Sequence, residues 1–286
     1  MTIDLKQYVL GLDVWEGSGN IDEGIIKAAG VEFLIVRMNP SWGGLEYDKN
    51  FLSQWAECSG LKRAAYVVVS PLNVGHTFTP LEYVNWILAK KPPDCTIIAL
   101  DVEVDAARLY NDPFITPQYY SAFLAGIFAG LHAAGVTCIQ YSGAWFYAMV
   151  KPWVKPDYIF QWWARYMTAV QPAVPRNAQG NLIFPVSTWP VLMAKIAGMS
   201  WTPLTTGFTE AMTGRIVIWQ VTSVFVLPGC PYNQPVDVNI MLRTDFERIF
   251  GTSPVVIPPV IPPVLLTDAQ VIAQLVSDWR KAHPGQ

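Results

Sequence analysis

The sequence predicts an α/β protein, and within that class a barrel. Three observations carry the prediction. Apolar, strand-like runs alternate with helical stretches about every thirty to forty residues as far as Tyr166, the rhythm of βα units around a parallel sheet. Some of those runs end in acids. The clearest is Ile97-Ile98-Ala99-Leu100-Asp101-Val102-Glu103, where alternation puts Asp101 and Glu103 on one face at the end of a strand buried on both sides. An α/β barrel keeps its chemistry at such strand ends. Finally, no Gly-x-Gly-x-x-Gly follows the first strand, which removes the signature of a dinucleotide-binding open sheet. The length of 286 residues suits one barrel with a small addition.

The elements follow in order. Tyr8 to Trp15 reads as the first strand, with Asp13 near its end and Gly17-Ser18-Gly19 as the loop beyond. A short helix is expected from Ile21 to Ala29, stopped by Gly30. Val31 to Met38 is a second buried strand and carries Arg37; Asp48 to Ser59 has helical periodicity up to Gly60. Ala64 to Ser70 is a third strand with Tyr66. Thr79-Pro80-Leu81-Glu82 is a capping box with proline at the first helical position, so a helix starts there and ends before Pro92-Pro93. After the Asp101–Glu103 strand, Thr116-Pro117 opens a long apolar helix that stops at Gly135. Val136 to Ser142, with Tyr141, is a fifth strand, and Tyr158 to Tyr166, with Trp162, a sixth.

The helical rhythm then breaks. Met167 to Gly214 is rich in Pro, Gly and Thr, with one helical patch at Val191 to Ala197. Arg215 to Ser223 and Val236 to Asn239 are late strands, and Asp245 to Phe250 a last turn of helix. These boundaries predict a barrel over residues 1–251. Residues 252–264 are proline-rich and predict an extended linker. Residues 265–286 predict an amphipathic helix, with Val271, Ile272, Leu275, Val276 and Trp279 on one stripe. That helix either packs on its own barrel or serves oligomerisation or docking to a partner.

Composition narrows the function. The chain is 52% hydrophobic and 14% charged, yet no apolar run approaches the roughly 20 residues a spanning helix needs. No basic region followed by an apolar core opens the chain, so no secretory signal is expected. A net charge of −3 argues against a nucleic-acid partner. Cys58, Cys95, Cys138 and Cys230 lie far apart and form no metal-ligand spacing with His76, His132 or His283, so neither a metal nor another cofactor is expected. Buried free thiols are the plain reading of the cysteines, and a structural role that of His76 and His132. Twelve Trp and twelve Tyr exceed what a core of this size calls for, and suit a cleft where rings stack on sugar faces.

Four stretches in order carry a resemblance: Gly11-Leu12-Asp13-Val14, Leu100-Asp101-Val102-Glu103, Trp219-Gln220-Val221-Thr222 and Val236-Asp237-Val238-Asn239. With Phe33 to Arg37, Ala65-Tyr66, Tyr141 and Trp162 to Tyr166 they make residues 8 to 245 similar to glycoside hydrolase family 25, the lysozymes (muramidases) common in bacteriophage endolysins. The resemblance implies an irregular TIM-like (β/α)5(β)3 barrel and a peptidoglycan hydrolase that needs no cofactor. It implies Glu103 as general acid, with Asp101, Asp13 and Asp237 as the other site acids. It places Tyr66, Tyr141, Trp162 and Asn239 along the groove, and Arg37 either there or paired to a lumen acid. Val67-Val68 stand where the family usually has His-Phe, and the segment between Tyr166 and Arg215 is roughly twice the family's length. The tail is too short for the wall-binding module many such lysins carry.

The implied reaction cuts the β-1,4 bond between N-acetylmuramic acid and N-acetylglucosamine. Three nearby aspartates are expected to raise the Glu103 pKa. Asp101 would orient the substrate's N-acetyl group or stabilise the oxocarbenium ion; two side chains in parallel on one strand do not straddle a bond, which disfavours a covalent nucleophile. Such a protein would be made in the cytoplasm and act on the cell wall after release or from a phage particle. The competing readings are a silent glycan-binding barrel, a virion-associated structural protein, and a chitinase-like hydrolase. Ala99 and Ile97 upstream of Asp101 argue against the last.

Overall fold

In the computed structural model of the chain, the described residues are 7–73, 76–103, 116–143, 156–164, 194–197, 216–225 and 236–251. Eight strands close a barrel: β1 (Tyr8–Val14), β2 (Val31–Arg37), β3 (Lys62–Val68), β4 (Ile97–Asp101), β5 (Thr137–Gly143), β6 (Ile159–Ala164), β7 (Ile216–Phe225) and β8 (Val236–Leu242). Their order around the barrel is β1-β8-β7-β6-β5-β4-β3-β2. Seven strands run in one direction, and β8 lies antiparallel to both β7 and β1. The predicted α/β barrel is therefore the fold.

Helices α1 (Glu23–Ala28), α2 (Phe51–Glu57), α3 (Pro80–Lys90) and α4 (Pro117–Ala133) follow the first four strands. Their ends obey local chemistry. Thr79 accepts from the Glu82 amide at 3.2 Å while Glu82 accepts from the Thr79 amide at 2.7 Å, with Pro80 opening α3. The Thr116 hydroxyl accepts from the Tyr119 amide at 3.1 Å, and Pro117 opens α4. Gly30 and Gly135, just beyond α1 and α4, take φ of 92° and 75°, which an L side chain resists. The connection after β5, where a fifth helix is expected, lies outside the described residues.

Period-two alternation sorts the strand residues into two cores. Outward residues such as Leu12, Leu34, Leu100 and Ile240 pack under the helices. Inward residues such as Val9, Phe33, Ile97, Ile139 and Met241 fill the lumen. Reversal of β8 has two consequences. It carries the chain to the bottom of the barrel, where helix α5 (Arg243–Phe250) starts at once and inserts Ile249 and Phe250 into the lumen core. It also brings the first residues of β8 to the top, beside the end of β1, so that Asp237 pairs with Asp13.

Several boundaries move. Helix α2 begins at Phe51 rather than Asp48, because the Asp48 carboxylate accepts from the Asn50 amide and the Arg37 guanidinium ahead of the helix. Strand β3 spans Lys62–Val68, not Ala64 to Ser70; Val69 then hydrogen bonds to the Asp101 carbonyl outside the regular ladder. The last helix is two turns from Arg243, not one from Asp245. Residues 194–197 are helical, within the expected patch. Cys58, Cys95 and Cys138 are buried free thiols, and burial pushes Cys95 up to about 11 and Cys138 up to about 12. His76 is exposed beside Glu82, and His132 is buried flat against Tyr158. Cys230, His283, the expected linker 252–264 and the expected helix 265–286 lie outside the described residues. Among the described residues, no helix is long and apolar enough to cross a membrane.

Candidate active site

Inward-facing residues at the top of the strands converge on a cavity of about 320 Å³. β1 contributes Asp13, β2 Arg37, β3 Tyr66, β4 Asp101, β5 Tyr141, β6 Trp162, β7 Gln220 and β8 Asp237. Glu103 stands two residues past Asp101. Strand β4 ends at Asp101, but the Val102 amide still donates to the Tyr141 carbonyl at 3.0 Å and the Val102 carbonyl accepts from the Ser142 hydroxyl at 3.1 Å. That continued extension keeps Glu103 on the Asp101 side, as alternation predicted. Trp15 and Ser41 complete the lining.

A hydrogen-bonded network lies beneath the cavity. The Trp162 indole donates to Asn239 Oδ1 at 2.8 Å. Asn239 Nδ2 donates to Asp13 Oδ2 at 2.7 Å, and Gln220 Nε2 donates to the same oxygen at 3.2 Å. The Tyr141 hydroxyl donates to Gln220 Oε1 at 2.7 Å. Tyr141 also packs on Trp162, with ring centres 4.4 Å apart, and Tyr66 meets Trp162 edge-on at 6.0 Å. The three aromatic rings pack together and line the cavity, each nearly buried.

All four carboxyls are pushed up. Burial raises Asp13 to about 6, against hydrogen bonds from Asn239, Asp237 and Gln220 that favour its charge. Burial raises Glu103 to about 7, with the Asp13 charge adding and a Tyr141 hydrogen bond opposing. Glu103 keeps solvent contact at the cavity mouth, yet the enclosing walls displace part of its hydration. Asp101 is held well above the ordinary carboxylate range by burial first, then by Glu103 and Asp13. Asp237 is held high likewise, by burial and then by Asp13, to which it is hydrogen bonded. For Glu103 desolvation comes first and the Asp13 charge adds to it, while the Glu103 charge in turn raises Asp101 and Asp237, so the four acids titrate as one cluster.

Arg37 does not pair with a lumen acid. Its Nε meets Asp48 Oδ2 at 2.7 Å, Glu16 stands 3.7 Å away, and its guanidinium lies 4.9 Å from the Trp15 ring centre. Asn239 is fully buried and is not among the lining residues; it sits between Trp162 and Asp13. Gln220, Trp15, Ser41 and Asp48 were not singled out from sequence. Gln220 had a signal, as the inward residue of Trp219-Gln220-Val221-Thr222. Asp48 had none, because its pairing depends on a loop.

No protein-family model matches the chain, and no curated protein matches it. Solved structures do. A family 25 glycosyl hydrolase from Bacillus anthracis superposes with a TM-score of 0.57 and 16% identity, over 87% of this chain and 97% of its own. A bacterial lysozyme from Streptomyces coelicolor gives 0.57 and 15%, over 85% and 97%. The CTP1L endolysin gives 0.51 and 16%, over 86% and 70%. These likenesses, spanning most of both chains in the first two cases, place the protein in the barrel fold of the family 25 glycoside hydrolases.

Proposed function

We propose that the protein is a peptidoglycan hydrolase that cleaves the β-1,4 bond between N-acetylmuramic acid and N-acetylglucosamine, with Glu103 as general acid. One observation carries this: four carboxyls share one cavity lined by aromatic rings at the barrel mouth, and Glu103, the most exposed of them, has its pKa pushed up to about 7 by the enclosing walls. A group with that pKa can hold a proton at working pH and still release it to a departing sugar oxygen. The fold shared with lysozymes supports the choice of glycan.

The remaining residues take roles that follow from their settings. Asp101 lines the cavity, with its Oδ1 buried and without a hydrogen-bond partner, and its carboxyl takes the role of holding the 2-acetamido group or the positive charge at the anomeric carbon. Asp237 carries the proton it shares with Asp13, so the pair bears a single negative charge. Tyr66, Tyr141 and Trp162 offer ring surface to a sugar. Arg37, pinned by Asp48, lines the wall and lowers the proton affinity of Asp101.

The test is mass spectrometry of purified peptidoglycan after digestion. Wild-type protein should leave reducing-end muramic acid, and Glu103→Gln should slow release at least 100-fold, the scale of general-acid catalysis. Reducing-end glucosamine, or lysis by Glu103→Gln at the parent rate, would overturn the assignment.

A further inference from the structure

Four aromatic rings line the cavity, and they are not equivalent. Tyr66, Tyr141 and Trp162 are 7%, 5% and 1% exposed, because they pack on one another and into the lumen core. Trp15 is only half-buried. Of the four it keeps the most surface uncovered, and indole surface left in water favours any ligand that covers it.

Its place follows from the chain. The backbone at Trp15 is still extended, with φ −146° and ψ 179°, so alternation keeps its side chain on the Asp13 side, one inward position nearer the mouth. In the closed order of strands, three strands separate β1 from β5 on either side. Trp15 therefore stands across the barrel from Tyr141, with Trp162 paired beside Tyr141 on the next strand. One wall carries a half-open ring, the opposite wall two packed rings, and the four carboxyls share the same cavity. A pyranose, with apolar C–H faces and a polar rim, matches such a slot.

The loop holds Trp15 still. Its amide donates to Ser18 Oγ at 3.2 Å, and its carbonyl accepts from the Ser18 amide at 2.8 Å and from Gln54 Nε2 at 2.9 Å. Gln54 Nε2 also reaches the Gly19 carbonyl at 2.8 Å, and the Glu16 amide donates to Asp48 Oδ2 at 3.2 Å. The Arg37 guanidinium lies 4.9 Å from the ring centre, and a Cβ on Gly17 would run into the ring. A ring fixed before its ligand arrives loses little freedom on binding.

We propose that Trp15 is a glycan-binding residue that stacks on the apolar face of an N-acetylhexosamine ring at the cavity mouth, with Gly17 as the positioning residue that leaves room for the indole. This rests on the substrate being a peptidoglycan strand.

The test is calorimetric binding of a tetrasaccharide of alternating N-acetylglucosamine and N-acetylmuramic acid to full-length protein carrying Glu103→Gln, so that the probe is not cut. Adding Trp15→Leu, which keeps an apolar side chain without a flat face, should weaken binding about tenfold, while Trp15→Phe should stay within about threefold. The Trp15 indole N–H resonance, assigned by its loss in Trp15→Phe, should shift on binding. Gly17→Ala should weaken binding when Trp15 is present and add nothing to Trp15→Leu; a further loss there would overturn the positioning role of Gly17. Unchanged binding in Trp15→Leu, equal losses in Trp15→Leu and Trp15→Phe, a resonance that does not move, or a tetrasaccharide that does not bind would each overturn the stacking role. Binding is read without turnover. A Trp15-dependent affinity in a protein that cleaves no peptidoglycan would therefore sink the proposed function and leave Trp15 as a glycan-binding residue, while wall cleavage with an affinity indifferent to Trp15 would do the reverse.

Discussion

Arg37 is the only cation among the described residues that line the cavity, in a wall with four carboxyls. Left free, it would collapse onto one of them. Asp48 prevents this from behind: its carboxylate is fully buried, the Arg37 side chain is 8% exposed, and they meet at 2.7 Å. Trp15 stacks on the guanidinium and Glu16 stands at its edge. Breaking such a pair leaves a buried charge without its counterion, so Asp48→Ala should cost about 3–5 kcal/mol in denaturant unfolding. A loss below about 1 kcal/mol would mean that water or Glu16 takes over the role. Arg37 stood out in the sequence as an inward strand residue. Its partner did not, because Asp48 falls where helical periodicity begins and reads equally as part of the helix.

At the scale of elements, strand β1 shows why its small residue is there. Gly11 faces the lumen directly against Phe33 of β2; a Cβ at Gly11 would stand 2.2 Å from the Phe33 ring. Phe33 is itself wedged by Phe250 of α5, with ring centres 5.5 Å apart, so it has little freedom to retreat. Gly11→Ala should therefore destabilise the barrel by about 1–3 kcal/mol, the usual penalty of overpacking. Thermal unfolding should then show Phe33→Leu costing less in the Gly11→Ala background than in wild type. Equal costs would show that the clash relaxes elsewhere. In the sequence, Gly11-Leu12-Asp13 served as a marker of resemblance. The structure supplies its mechanics: the glycine lets the lumen floor fill so that Asp13, one inward position higher, sits on a packed base. The α3 capping box, by contrast, was legible in full, because every atom in it lies within one turn.

For the whole molecule, the buried acids give the protein an inverted pH dependence in one window. The folded state holds protons on Asp13 up to about 6 and on Glu103 up to about 7, and holds Asp101 and Asp237 well above the ordinary carboxylate range, whereas the unfolded chain releases them near 3.8 and 4.5. Between pH 4 and 7 the folded state therefore binds more protons, and this cluster makes stability fall as pH rises. Glu82, whose capping role holds its carboxyl below the usual range, works the other way: its contribution is present above its unfolded value and is lost as pH falls through the folded one. A difference measurement removes it. Asp237→Asn keeps a donor toward Asp13 and removes an ionisable group, so its unfolding midpoint relative to wild type should rise steadily from pH 4 to pH 7. A flat difference across that range would show that Asp237 is solvated. The same variant should lose activity if a charge at that position is needed, which separates a stabilising role from a chemical one.

The sequence by itself determined the local layer: which runs are strands, where α3 and α4 begin, and that Asp101 and Glu103 share one face. Alternation and capping are written within a few neighbouring residues, whereas Asp13, Tyr66, Tyr141, Trp162 and Asp237 were expected in the site only because the resemblance implies it. Only the tertiary structure decided which of them touch. Tyr141 and Gln220 are 79 residues apart, and Asn239 and Asp13 are 226 apart. Their hydrogen bonds exist because the barrel closes through a reversed β8 at one particular register. Strand direction and register are set by the packing of all eight strands together, and no single strand's pattern contains them. The same closure turns Asn239 from a groove residue into a buried brace and Gln220 from an unremarked neighbour of Trp219 into the acceptor of the Tyr141 proton.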